Sequence, residues 1–209
     1  MTKHKPSEER IEEILNAAES EILEYGYAGL TMDAIVARTT LSKGSVYRFF
    51  RNKRDIALAL LKRMLERAAS VDVEEALSWN LPIEDTLLKL LIPEFPLIGQ
   101  QLRDWRIWLQ LLPNMITDQD FVTVRQNNRQ IGLANYRRLL EHLFRRDGLP
   151  IGEHLDKLEK YAVVGTMFLE GLAIFLLAGE PTDHVRDQII EHASDFIRMQ
   201  LKKVSHEFN

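Results

Sequence analysis

Thr31-Met32-Asp33-Ala34-Ile35-Val36-Ala37-Arg38-Thr39-Thr40-Leu41-Ser42-Lys43-Gly44-Ser45-Val46-Tyr47-Arg48-Phe49-Phe50 contains two helix starts within one short stretch. The Thr31 hydroxyl can accept a bond from a free backbone amide, which opens a helix from Met32 to about Thr39. Ser42 does the same for a second helix, Lys43 to Phe50. Only Thr39 to Ser42 lies between them, a tight turn of the length found in a helix-turn-helix. On the second helix Val46, Phe49 and Phe50 share one side, where they can pack on Ile11, Leu15, Leu30, Ile35 and Leu41. Lys43, Gly44, Tyr47, Arg48 and Arg51 are left on the other.

That outer face suits a duplex groove. Lys43 and Arg48 can donate to guanine edges. Gly44 and Ser45 are small enough to let the helix N-terminus come close, and Thr31, Tyr47 and Lys53 can reach phosphates. Ser42 belongs to the same candidate DNA-binding set. From Arg38 to Arg54 there are six basic residues (Arg38, Lys43, Arg48, Arg51, Lys53, Arg54) and no acidic one. The whole chain carries −4, so the positive charge is confined to this stretch of an otherwise acidic protein. A basic face on a packed helix is by itself common and need only be a solvated surface. The capped helices, tight turn and one-sided charge carry the inference together.

Working outward, Ile11, Ile14, Leu15, Ala18, Ile22 and Leu23 recur at helical spacing behind a Ser7 cap, with Glu8 and Glu9 at the positive end of the helix dipole. Gly26 is expected to end that helix. A fourth helix begins near Arg54-Asp55. Further helical stretches lie at about 83–92, 97–112, 119–146, 151–178 and 182–204, divided by prolines and glycines. With 209 residues, 45% of them hydrophobic, the expected fold is all-α with about nine helices. A three-helix head at 1–54 precedes a helical ligand-binding and dimerisation body at 55–209.

A longer motif carries a resemblance. Gly26-Tyr27, then Leu30-Thr31-Met32-Asp33-Ala34-Ile35, then Leu41-Ser42-Lys43-Gly44-Ser45-Val46-Tyr47-Arg48-Phe49-Phe50 and finally Lys53 stand in the order found in TetR-type regulators, whose DNA-binding head residues 8–65 resemble. The resemblance implies phosphate roles for Thr31, Tyr47 and Lys53, and an approach to bases by Lys43, Gly44, Ser45 and Arg48. It also implies a homodimer, a small-molecule effector, and repression released when the effector binds. Three positions depart from the family: Val36 and Thr39 replace Ala, and Thr40 replaces Gly. Either the turn has a geometry without positive φ, or Thr40 is strained there.

In the body, Val185, Ile189, Ala193, Phe196, Ile197, Leu201 and Val204 form an apolar stripe, with Ile190 on its flank. Ala162 to Ala178 is apolar nearly all round and should be covered on more than one side. Paired with their copies, these last two helices (about 151–204) would make a four-helix interface about a two-fold axis; alternatively both fill a monomer core. The candidate effector site comprises Trp105, Trp108, Phe121, Tyr136, Met167, Phe168 and Glu170. Aromatic and Met residues at helical spacing are more often core. Glu170, a carboxylate in an apolar run, can either pair with Arg103, Arg106, Arg137 or Arg138, or anchor a cationic ligand.

The chain has no cysteine, so disulfides and thiolate metal sites are excluded, and a cytoplasmic location is permitted. Its start, Met1-Thr2-Lys3-His4-Lys5-Pro6, lacks the apolar stretch of a leader, and a central Glu170 argues against a membrane span. None of the six histidines sits at metal-ligand spacing, and no nucleophile elbow, P-loop or dinucleotide fingerprint is present. The expectation is therefore no enzyme, no metal and no cofactor; the partners are double-stranded DNA, a second copy of the chain and a small molecule. Two rival readings are a regulator-fold protein that has lost DNA binding and binds a small molecule or protein, and an all-α enzyme using a body cavity.

Overall fold

The computed structural model describes residues 7–68, 73–83, 85–86, 89, 99–148, 155–178 and 182–206. Among them are ten helices and no strand: α1 Ser7–Gly29, α2 Met32–Ala37, α3 Lys43–Phe49, α4 Lys53–Ala68, α5 Val73–Ser78, α6 Gly99–Leu111, α7 Asn114–Thr117, α8 Gln119–Arg146, α9 Leu155–Ala178 and α10 Asp183–His206. The all-α reading holds. α5 and the four-residue α7 were not foreseen. The expected helix at 83–92 falls mostly outside the described residues, as do the N-terminal hexapeptide, the start of the 151–178 segment and His154.

The chain divides into two compact units, one of Met1–Arg67 with Arg103–Asn127, the other of Ala68–Leu102 with Asn128–Asn209. The first unit is organised around α1. Ile14, Leu15, Ala18 and Ile22 are buried along one side of it, as the three- and four-residue spacing requires. Against them lie Leu30, Ile35 of α2, Val46 of α3, Ile56, Leu60, Leu61 and Met64 of α4, and Ile107, Leu111, Met115 and Phe121. Full burial of a side chain of this size stabilises by about 1.5–3 kcal/mol.

α4 starts at Lys53, slightly earlier than the sequence suggests, because Asn52 caps it. The Asp55 N–H donates to Asn52 Oδ1 at 2.9 Å, and the Asp55 carboxylate accepts from the Arg51 N–H at 3.3 Å. Gly26 breaks α1 as expected, but helical turns resume as far as Gly29. At φ 73°, ψ 166° Gly26 occupies a backbone region essentially closed to side-chain-bearing residues. A Cβ there would sit 3.1 Å from the Gln110 side-chain oxygen, which accepts the Tyr27 N–H at 3.4 Å.

In the second unit Leu139, Leu140, Leu143 and Phe144 of α8 are buried, as are Ala76, Ile83, Leu176 and Ala193. Arg138 pairs with Glu74 at 3.0 Å, and Phe168 of α9 stacks on Phe196 of α10 with centroids 5.5 Å apart. Within Ala162 to Ala178 of the single chain, Val164, Met167, Ile174 and Phe175 are exposed, and their spacing places them on one face. Val185, Phe196 and Met199 of α10 are exposed too. The side chains of Ile190, Ile197, Leu201 and Val204 lie outside the described residues.

Replacing Gly26 with Ala is expected to lower the unfolding free energy by about 2 kcal/mol, since it forces a Cβ into both a forbidden backbone region and the Gln110 amide. Urea denaturation of the full chain measures this.

Candidate nucleic-acid interface

The two caps form as the hydroxyls dictate. Thr31, extended at φ −132°, accepts the Ala34 N–H at 3.1 Å, and Ser42 accepts the Ser45 N–H at 3.2 Å. Between them α3 is set as a two-sided helix. Val46 is completely buried, and Leu41, Phe49 and Phe50 pack half-buried against the same core. Ser42, Lys43, Gly44, Tyr47, Arg48 and Arg51 are exposed, and Ser45 and Lys53 are half-buried. Nothing lies within 4 Å of where a Cβ of Gly44 would stand, so this corner is open for close approach.

Thr40 is not strained. Among the described residues positive φ occurs at Gly26, Gly148 and, among non-glycines, Asn80, so the turn has the first of the two geometries the sequence left open. Both the Thr40 N–H and its hydroxyl donate to the Glu13 carboxylate of α1, the hydroxyl at 2.7 Å. The Thr39 hydroxyl donates to the Val36 carbonyl at 3.0 Å and accepts the Leu41 N–H at 3.4 Å. The threonines that depart from the family are stitched into this turn by their own oxygens.

The six basic residues sort into different tasks. Arg38 is held by Glu21 and Glu24 of α1. Arg54 forms a fork with Asp118, two bonds of 2.6 Å, and a further 2.6 Å bond with Asp120. Its hydrogen bonds hold the Asp118 carboxyl below the usual carboxylate range. These two arginines are structural. Lys53 donates to the carbonyls of Tyr27 and Ala28, at 3.4 and 3.2 Å, over the Tyr27 ring, and so satisfies the end of α1. Lys43 pairs with Asp33 of α2 at 2.7 Å, which raises its ammonium above the ordinary lysine value. Arg48 and Arg51 have no ion pair among the described residues; Arg48 leans over the Phe49 ring. Asp33 lies two residues after Thr31 in the motif, whereas Glu13 carries no local signal.

The candidate effector residues are divided between the two units. Trp105 and Trp108 of α6 meet edge-on at 6.3 Å, and Arg125 lies over Trp108. Phe121 is fully buried beneath Arg54, a core residue with no surface left for a ligand. These three belong to the first unit. Met167 is exposed, while Phe168 and Glu170 are half-buried, all in the second. Tyr136 is on α8 in that unit, its side chain outside the described residues. Among the described residues no group of His, Asp and Glu is placed to hold a metal, and no helix is long and apolar enough to cross a membrane.

An all-α chain with a helix-turn-helix head of this geometry falls in the class of helical DNA-binding regulators. Residues 14–60 match the bacterial regulatory proteins of the tetR family. An uncharacterized HTH-type transcriptional regulator of Bacillus subtilis (strain 168), YhgD, is 33% identical over 82 residues. That match covers 37% of this chain and 40% of YhgD, so it spans well under half of the relative. Among solved structures, a transcriptional regulator from Saccharomonospora viridis in complex with choline superposes with a TM-score of 0.73 at 22% identity, over 91% of this chain and 96% of that one. A TetR-family regulator from Rhodococcus sp. gives 0.71 at 18%, over 94% and 98%. Residues 14–60 are thus similar to the DNA-binding segment of tetR-family regulators, and the chain as a whole shares the fold of these solved structures.

Because Thr40 is bonded rather than strained, Thr40→Gly is expected to destabilise the protein by about 1 kcal/mol, through lost hydrogen bonding to Glu13 and greater freedom of the unfolded chain. A rise in the urea midpoint would contradict the bonded turn.

Proposed function

We propose that the protein is a ligand-responsive transcriptional regulator, most plainly a repressor, which acts in the cytoplasm as a homodimer on a pseudo-palindromic operator and leaves it when a small molecule binds. The observation that carries this reading is the outward face of α3: Lys43, Gly44, Tyr47 and Arg48 stand in solvent while Val46 is locked in the core beneath them. In this reading the DNA-binding head is 1–54 and the remaining residues serve dimerisation and effector uptake. Thr31, Tyr47 and Lys53 take phosphates, and Lys43, Gly44, Ser45 and Arg48 approach bases, with Ser42 setting the helix start. Lys53 would meet a phosphate with an ammonium already resting on the end of α1, which fixes its position.

Dimerisation is supported by the exposed apolar face of α9 and by Val185, Phe196 and Met199 of α10. Apolar surface of this extent costs free energy in water and is removed by a second copy presenting the same face. Two heads related by a two-fold axis then address successive major grooves, roughly 34–36 Å apart or somewhat wider.

The effector reading rests on Glu170, half-buried on apolar α9. A carboxylate there favours a cationic or strongly hydrogen-bonding ligand. The Saccharomonospora viridis protein is in complex with choline, so choline is the first probe. A ligand that fits the released arrangement better shifts the population away from DNA by its differential affinity.

Selection of fragments from random duplex DNA should enrich a palindrome, and enrichment of nothing would favour a family member without DNA binding. Sedimentation at micromolar concentration should show twice the 24.3 kDa chain mass. With Arg51 and Lys53 neutralising phosphates on each of two heads, operator affinity should fall about a hundredfold between roughly 50 and 200 mM salt. Glu170→Gln should abolish release by a cationic effector; an unchanged response would remove Glu170 from the site.

A further inference from the structure

Asp33 is the only carboxylate between Thr31 and Arg54, and it is bonded to the only lysine of α3. The Lys43 ammonium sits 2.7 Å from Asp33 Oδ1 and 5.9 Å from the centre of the Tyr47 ring, so it is bracketed from two sides. Both partners are open to water, with 60% and 77% of their side chains exposed. An ion pair so exposed adds little to stability. A carboxylate bonded to the Lys43 ammonium also opposes the approach of a phosphate to that ammonium.

We propose that Asp33 is a positioning residue that turns Lys43 from a mobile, sequence-blind cation into a fixed reader of one base position. This rests on the DNA-binding reading given above. A free lysine carries a strongly hydrated point charge on a flexible stem, and beside a duplex its strongest attraction is to phosphate, which holds no sequence information. Asp33 alters that competition. Its negative charge repels a phosphate seeking the same ammonium, whereas the uncharged O6 and N7 acceptors of guanine meet no such opposition. The ammonium has three donors; Asp33 occupies one and leaves two for a base edge. Because the stem is already ordered, less side-chain freedom is lost on docking. The pair thus lowers affinity for arbitrary DNA while sharpening the choice of operator.

The full chain and its Asp33→Asn, Asp33→Glu, Lys43→Ala and Asp33→Asn/Lys43→Ala variants are compared on the selected operator. The duplexes are the operator, every single-base-pair variant of one half-site, and an unrelated duplex, each across a salt series. Asp33→Asn is expected to bind the unrelated duplex about three- to tenfold more tightly at low salt, with a salt slope steeper by about one per head. It should also flatten, by about five- to tenfold, the preference at the position whose preference Lys43→Ala erases. Asp33→Glu should restore that preference, and the double variant should match Lys43→Ala. A purely structural Asp33, acting on the α2 dipole, would change the unfolding midpoint and leave the base profile intact; that outcome overturns the proposal. So do a base profile unaltered by Lys43→Ala and an Asp33 effect that persists without Lys43. If the unaltered protein selects no operator, the DNA-binding reading fails first, and this inference falls with it.

Discussion

α3 is seven residues long, about two turns, and a helix of that length cannot persist in water on its own hydrogen bonds. It exists because Val46 is buried without remainder and Phe49 and Phe50 lean on the same core. That core is assembled from α1, α2 and α4 together with Ile107, Leu111, Met115 and Phe121, which arrive from much later in the chain. The anchoring side also determines the working side. With Val46 and Phe49 turned inward at helical spacing and extended Phe50 packed just past the helix end, the remaining positions of so short a helix have only solvent, or a duplex, to face.

Charge is arranged to leave that face uncluttered. Two of the nearby arginines are withdrawn from it by carboxylates: Arg38 by Glu21 and Glu24, and Arg54 by Asp118 and Asp120. Arg54 reaches across 64 residues of sequence to Asp118, tying the start of α4 to the segment between α7 and α8 inside one compact unit. Lys53 is occupied with the end of α1. The cations left to the outer face are few and placed individually, which suits a protein of net charge −4 that must discriminate among sequences rather than adhere to any polyanion.

The head was legible because its signals are local. Thr31 and Ser42 each cap a helix by bonding to an amide three residues on, and the alternation of Val46, Phe49 and Phe50 with Tyr47 and Arg48 can be read from spacing alone. The start of α4 at Lys53 is local too, since Asn52 accepts the Asp55 N–H three residues on. What stayed hidden is non-local. No pattern near Thr40 announces Glu13, 27 residues away, as the acceptor that makes a threonine comfortable where the family has glycine. Nothing near Arg54 announces Asp118. In the body, the aromatic residues recur at helical spacing whether they line a cavity or fill a core, and Phe121 fills a core. The apolar character of Ala162 to Ala178 was plain, but the sequence could not tell that one of its faces lies uncovered in a single chain.

The outward orientation of α3 is tested most directly by exchanging Tyr47 and Arg48 together for alanine, then measuring operator affinity and unfolding midpoint on the same preparation. Both side chains are exposed, so the midpoint should stay where it is while affinity falls about a hundredfold or more. Affinity that survives the exchange, or a fold that collapses with it, would mean that this face is not the one that meets DNA.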